Sequence, residues 1–459
     1  MSLVLTSLLA AMILAAANHP QLSSSFTVYG QQQQIENQFR QKEFVETEKL
    51  PHVLDQNLKV EVVAEGLKLP TTMAFLGPND MLVLEKENGT VRRIVNGDLL
   101  PEPLLDVNVA GWVERCMCGI AVSNGNSSNS TSDQTYVYLY YTESESADTE
   151  DITEGKTPLG NHVYRYELVD NKLTNPKLLL KLPAEPGPRH NGGAIMIGSD
   201  NNLYIPIGDV DGSFNEGKWE TRAQNYLNAT EPDGRGGILR ITLDGQPVPG
   251  GGILGEKHPL NLYYAYGIRN SFGIDFDPIT GNLWDTENGP GEGDEINLVE
   301  PGFNSGWQEV QGFPSIVNEE EGAVTEGFDP ATLETFSGKG KYSDPEFSWV
   351  STVGPTAVKF FNSDKFGAQY HNDLFVADVR GVLYHFDLND SRTGLLLEGP
   401  LADKMADSGE DPALEQVTFG GDFGGITDLE VGPYDGYLYV VSIGQGKIFR
   451  IVPSSSSSS

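Results

Sequence analysis

The strongest constraint in this sequence is a paired apolar pattern that returns six times. Short apolar runs centred on Leu82, Leu139, Leu203, Leu283, Leu374 and Leu438 each follow a turn. Each run is succeeded by a second alternating segment: Thr90–Ile94, His162–Tyr166, Gly237–Ile241, Glu295–Val299, Val382–Phe386 and Lys447–Ile451. Alternation turns successive side chains to opposite faces of a strand, so each pair reads as an antiparallel hairpin with one face to bury. A sheet that cannot cover its own face must stack on neighbours of the same kind, which is the logic of a propeller blade. A two-sheet sandwich does not explain six paired recurrences running from residue 82 to residue 451. The expected fold is therefore all-β, a six-bladed β-propeller with four-stranded antiparallel blades. The repeats lie farther apart than the roughly 40–45 residues of a minimal blade, so long loops must emerge between strands, and a site belongs there.

Composition agrees with this class and narrows the partners. The 52 Gly and 27 Pro of the 459 residues imply many tight turns and few long helices. Against 30 basic residues stand 65 acidic ones, a formal charge of -35, which repels phosphate backbones and argues against nucleic acid. Cations and neutral substrates fit better. Cys116 and Cys118 are the two cysteines, too few for a disulfide framework. They read as a buried or oxidised structural pair, with a soft Cu(I) site around Met117 as the alternative.

The ends of the chain read differently from its middle. Leu3 to Ala17 is almost unbroken apolar sequence ending in three alanines, so residues 1–17 read as a signal peptide or an N-terminal anchor, although no Lys or Arg precedes the run. With sequons at Asn88, Asn126, Asn129, Asn228 and Asn389, this places the protein outside the cell or at its surface. Residues 18–58 are a polar lead-in, 59–453 the propeller, and 454–459 a flexible serine tail.

Two loop segments carry the candidate chemistry. In the first, His190 stands in a Gly-rich approach, Pro188 to Gly193, to the strand Asn202–Ile207, and Asp209 follows that strand. An aspartate beside an imidazole fixes its tautomer and supports it as a base; a lone His, equally, serves structure. The second segment runs from Tyr264 to Trp307. Arg269 and Asn270 put a fixed cation and an amide beside turn-forming Gly267, suited to a planar anion. Asn288, Gly289 and Pro290 offer hard oxygens of the kind Ca2+ accepts, or simply form a turn.

Taken in order, His-x-x-Gly, Ile-Gly-Asp, Ala-Tyr-Gly-x-Arg-Asn, Leu-Trp-x-x-Glu-Asn-Gly-Pro and Asp-Glu-Ile-Asn resemble the glucose/sorbosone dehydrogenase family, most specifically from 188 to 307 and more loosely from 59 to 453. That family is built as a six-bladed propeller and binds pyrroloquinoline quinone (PQQ) with Ca2+. The resemblance implies that His190 is the base for the sugar's anomeric hydroxyl, with Asp209 orienting it. It also implies that Arg269 and Asn270 meet the quinone oxygens, Arg269 stabilising developing negative charge, and that Asn288 lies near the cofactor. The carbonyls of Gly289 and Pro290 would hold Ca2+, and Glu114 aligns with a residue on the substrate side.

The sequence departs from the family in three places. Where members carry Arg-x-Arg-Asp in the last blade, this chain has Gly424-Gly-Ile-Thr-Asp428, so two arginines for the cofactor's carboxylates are missing. Arg380, in the preceding blade, is expected to take over that role. Cys116 and Cys118 replace the usual Gly and Leu. The expected function is a PQQ- and Ca2+-dependent aldose dehydrogenase that makes a lactone and passes electrons to an external acceptor, with homodimerisation left open. A non-catalytic extracellular binding propeller and a Ca2+-dependent lactonase are the alternatives.

Overall fold

The computed structural model describes residues 50–123, 134–145, 158–211, 220–314 and 328–454. The apolar segment 1–17, the lead-in as far as residue 49, the sequons at Asn126 and Asn129 and the tail from 455 lie outside them.

The strands assemble into six sheets. The first sheet holds Pro70–Gly77, Asp80–Glu85, Thr90–Val95 and Asp98–Leu99, with Leu105–Asp106 also on its third strand; the second holds Met117–Ser123, Tyr136–Glu143, Gly160–Val169 and Lys172–Leu182. The third begins at Met196–Ile197 and continues through Asn202–Ile207, Gly237–Thr242 and Tyr263–Tyr266. The fourth runs through Ser271–Phe276, Leu283–Glu287, Glu292–Val299 and Phe347–Ser351, the fifth through Pro355–Phe360, Leu374–Asp378, Leu383–Phe386 and Thr418–Gly421. In the sixth, Ile426–Val431, Leu438–Ser442 and Lys447–Pro453 are completed by Leu58–Glu65 from the other end of the chain. All six hairpins read from the alternation pattern form, each as the second and third strands of its sheet.

The sheets close into a ring through their first strands. Pro70–Gly77 packs against Met117–Ser123, the third sheet follows, then Ser271–Phe276, Pro355–Phe360 and Ile426–Val431, which returns to Pro70–Gly77. This is an all-β propeller, with only short 3-10 turns as helix among the described residues. Residues of all six sheets meet along the axis, where Met73, Ile120, Met196, Ile274, Val358 and Leu429 line a narrow cavity. Into it reaches Lys359, paired with Glu430 at 3.0 Å and Asp275 at 3.5 Å.

Two expectations are corrected. The sheets are not uniformly four-stranded: the third gains Phe303–Asn304 and Lys341–Tyr342, the fourth Met405–Ala406 and the fifth His52–Val53. Three of these additions pair in parallel with a sheet edge and are two residues long, so they leave no alternation to detect. The lead-in also ends earlier than residue 58. His52 and Val53 pair with Gly421 and Gly420, Leu58 already belongs to the closing strand, and Ser454 donates its N–H to the Asn57 carbonyl.

Apolar layers between neighbouring sheets hold the ring. Tyr138, Tyr140, Tyr263 and Tyr266 fill the layer of the second and third sheets; Trp284, Phe347, Trp349 and Tyr384 fill that of the fourth and fifth. Burying each such side chain is worth about 1.5–3 kcal/mol. Beside the closing strand, Phe449 packs with Phe423 at 2% exposure, while its register partner Val62 is 54% exposed. Phe449→Ala should therefore cost about 3–5 kcal/mol, seen as a lower denaturation midpoint, and Val62→Ala should stay within about 0.5 kcal/mol.

Candidate active site

Antiparallel order sends the second-to-third turn of each sheet and the crossing into the next sheet to the same end of the ring. Hydrogen bonds between the two kinds of loop fix them there: Gly208 N–H donates to the His190 carbonyl, Asp209 N–H to that of Arg269, and Asn288 N–H to that of Asn270. His190, Arg269 and Glu114 lie on crossings, whereas Asp209 and Asn288 lie on turns. The approach is close enough to require glycine at 208, where a Cβ would stand 2.1 Å from the Arg269 carbonyl and 2.8 Å from the His190 Cβ.

At the centre is a buried ion pair. His190 Nδ1 meets Asp209 Oδ1 at 2.6 Å, with the two side chains 2% and 0% exposed. The other oxygen, Oδ2, accepts from Trp307 Nε1 at 2.8 Å, and Oδ1 also accepts from Asp211 N–H at 3.0 Å. Burial pushes the Asp209 proton affinity up, but His190, Arg269 and the Trp307 donor outweigh it, so the carboxyl lies below its ordinary range. For His190, burial and the Arg269 charge pull downward; the Asp209 carboxylate, with Asp211, overcomes them and leaves the imidazole above its ordinary value. With Nδ1 committed to Asp209, Nε2 is the nitrogen open to chemistry.

Arg269 and Glu114 frame this pair. The Arg269 guanidinium lies over the Trp307 ring, 5.3 Å from its centroid, and donates to the Asn288 carbonyl at 2.8 Å. Its N–H donates to Glu287 Oε1 at 2.6 Å. Glu114 Oε2 accepts from His190 N–H at 2.7 Å and from Asn270 Nδ2 at 3.1 Å, joining the crossing into the second sheet to those into the third and fourth. The Asn270 amide oxygen, buried, has no hydrogen-bond partner among the described residues. Asp294 clamps the loop of Gly289 and Pro290, accepting from Gly289 N–H at 2.8 Å, Val353 N–H at 2.6 Å and Gly354 N–H at 2.7 Å.

Glu114, His190, Asp209, Arg269, Asn270 and Asn288 are thus one connected constellation. Arg380 does not join it. It lies at the same end of the ring, but Asp378 and Tyr384 hold its guanidinium at 2.6 Å and 2.7 Å, and none of its hydrogen bonds reaches the His190 group. An aspartate two residues upstream captures it before any neighbouring blade can. At Gly424, the Gln445 side chain occupies the space, its Cγ 2.8 Å from where a Cβ would be. Cys116 and Cys118 form a disulfide, with Cys118 Sγ 3.9 Å from the Glu114 carbonyl oxygen.

Two positioning residues escaped the sequence reading. Trp307 marks only the end of a motif there, and Arg235, 2% exposed, carries no motif at all. Arg235 pairs with Asp233 and donates to the Asp209 carbonyl at 3.4 Å. A buried carboxylate deprived of a donor pays its desolvation in full. Trp307→Phe, which keeps a ring but removes Nε1–H, should lower stability by about 1.5–3 kcal/mol in chemical denaturation.

Comparison with known proteins follows the same outline. The profile of the family described as Glucose / Sorbosone dehydrogenase matches residues 67–450. An aldose sugar dehydrogenase of Escherichia coli is 25% identical over 405 residues, 86% of this chain and 93% of that protein. Among solved structures, an oxidoreductase of Thermus thermophilus described as a glucose dehydrogenase is 28% identical, with a TM-score of 0.62 over 86% of this chain and 100% of its own. The PQQ-bound aldose sugar dehydrogenase of Streptomyces coelicolor shares the fold at 22% identity, with a TM-score of 0.58 over 86% of this chain and 98% of its own. With its profile spanning nearly all the described sheets and its motifs gathered at one end of the ring, this chain belongs to the glucose/sorbosone dehydrogenase family.

Proposed function

We propose that the protein is a six-bladed quinoprotein oxidoreductase that converts an aldose to its lactone, using PQQ and Ca2+, and passes electrons to an acceptor outside the cytoplasm. The observation that carries this reading is the buried His190–Asp209 pair, which commits Nδ1, leaves Nε2 outside that contact and shares a loop cluster with Arg269 and Asn270. Family membership and the names of the relatives support it. Export rests on the apolar run at 1–17; among the described residues no helix is long and apolar enough to cross a membrane.

The residues present fit a hard cation and the reactive end of an anionic cofactor. Gly289 and Pro290 are partly exposed, and among the described residues no backbone N–H donates to either carbonyl, which leaves two oxygens of the type Ca2+ prefers. Arg269 and Asn270 would meet the cofactor's oxygens, and the orphaned Asn270 amide oxygen is a buried acceptor for which a ligand would supply the partner. The cofactor's carboxylates find less, since Arg380 is engaged and the stretch Gly424-Gly-Ile-Thr-Asp428 lacks the two arginines that the family carries there.

In this mechanism His190 Nε2 takes the proton of the anomeric hydroxyl while the anomeric hydrogen leaves as hydride, so the sugar loses two electrons and becomes the lactone. Asp209 holds Nδ1–H and stabilises the imidazolium that forms. Arg269 sets positive charge where negative charge develops. When bound, PQQ supplies the two-electron acceptor and Ca2+ the Lewis acid that polarises it.

Purified protein given PQQ and Ca2+ should reduce a dye when an aldose is added; absence of PQQ binding at micromolar concentration would sink the proposal and favour a non-catalytic binding propeller. His190→Asn should lower kcat by roughly 10²–10⁴ without altering the bound cofactor's absorption. Because only neutral imidazole is a base and the His190 proton affinity is raised, kcat/KM should fall as pH drops through a value above the ordinary 6.5. Asp209→Asn removes the carboxylate that raises it and should move this acid limb to lower pH. In PQQ titrations, Arg269→Ala should weaken binding by about 1.5–3 kcal/mol, whereas Arg380→Ala should change it by less than about 0.5 kcal/mol.

A further inference from the structure

At the opposite end of the ring, away from the candidate active site, the fifth sheet brings together Asp373, His385 and Asp387. Asp373 precedes the second strand, Leu374–Asp378; His385 lies on the third, Leu383–Phe386, with Asp387 just beyond it. His385 is the register partner of Phe375, so the hairpin itself places the three side chains side by side. Among the described residues they are the one group of three whose ligand atoms lie within 4.8 Å of one another.

We infer that Asp373, His385 and Asp387 form a binding site for a borderline divalent metal of the Zn2+ class. His385 Nε2 lies 3.0 Å from Asp373 Oδ2 and 3.7 Å from Asp387 Oδ1. Ligands placed tetrahedrally at zinc bond lengths of about 2.0–2.2 Å stand about 3.3–3.6 Å apart. The two distances bracket that spacing, so small side-chain movements complete the coordination. The imidazole is already oriented: Tyr370 and Phe375 pack against its ring at 5.0 Å and 5.1 Å, leaving Nε2 toward the carboxylates. Asp387, with its side chain 56% exposed, keeps one side open to the ion and to water ligands.

The charge around the group also calls for a cation. Beyond Asp373 and Asp387, Asp55 accepts from the Tyr370 hydroxyl at 3.0 Å, which adds a third carboxylate behind the ring. Arg392 reaches the neighbouring Asn372 carbonyl, but its guanidinium is bound to Asp277 at 2.8 Å. An imidazole with two carboxylates suits zinc, while Ca2+ prefers oxygen ligands alone, so this site is chemically distinct from the Gly289–Pro290 loop.

The test is a Zn2+ titration of chelator-washed protein first saturated with Ca2+, read by competition with a chromophoric zinc indicator. One equivalent should bind, raise the melting temperature and be weakened at least about tenfold by Asp387→Asn and by Asp373→Asn. Asp387 is exposed, so its variant should melt at the wild-type temperature without zinc. The absence of a bound equivalent, or one that survives both variants unchanged, would overturn the site and leave His385 as an ion-pair partner of the two aspartates. Neither outcome depends on dehydrogenase activity.

Discussion

The pairing of Leu58–Glu65 with Lys447–Pro453 is the contact on which the rest of the architecture rests. It joins the two ends of the propeller unit within one sheet, so the first and last strands of the ring are hydrogen-bonded to each other. A ring closed in this way has little freedom in the angle between neighbouring sheets, because every apolar layer is packed on both sides. That matters for chemistry. Glu114, His190 and Arg269 lie on crossings into the second, third and fourth sheets, and the hydrogen bonds among them span three blades. Their spacing is set by how the blades stack, and the stacking by closure.

Within the site, burial gives two neighbouring aspartates opposite characters. Asp209 and Asp211 stand two residues apart on one turn, both almost inaccessible. Asp209 gains His190, Arg269 and the Trp307 N–H, and its carboxyl falls below the ordinary range. Asp211 is raised: burial dominates, the Asp209 charge adds to it, and the pull of His190 and the Arg189 N–H does not compensate. Asp209 is therefore the ionised partner of the imidazole. Asp211 instead fixes the loop, accepting from Arg189 N–H at 3.1 Å and giving its own N–H to Asp209.

The six hairpins were legible because alternation is a local signal, and so were His190, Asp209, Arg269 and Asn270, which sit in compact motifs. Three things were not. The two-residue strands Phe303–Asn304, Lys341–Tyr342 and Met405–Ala406 exist only because a sheet edge is there to receive them. Trp307 acts through its indole N–H, and nothing in the sequence says that Asp209, 98 positions away, is the acceptor. The setting of Arg380 was hidden for the reverse reason: its partner is local, Asp378 two residues upstream, and none of its hydrogen bonds joins the His190 group.

Gly424 is more than the absence of an arginine. A Cβ at Gly381 would stand 2.6 Å from Gly424 N, and Gln445 covers Gly424 while donating to the Asp422 carbonyl at 3.1 Å. The fifth and sixth sheets are thus fitted to one another around glycine, and a side chain at Gly424, where φ is +75°, would have to displace Gln445. The change in this blade is built into its packing. Each charge-assisted contact forgone at a cofactor carboxylate is worth about 1.5–3 kcal/mol, or tenfold or more in affinity. In a quinoprotein of this shape, affinity would then shift from the carboxylate end of the cofactor toward its quinone end, where Arg269, Asn270 and the Gly289 and Pro290 carbonyls stand, and it would depend strongly on Ca2+.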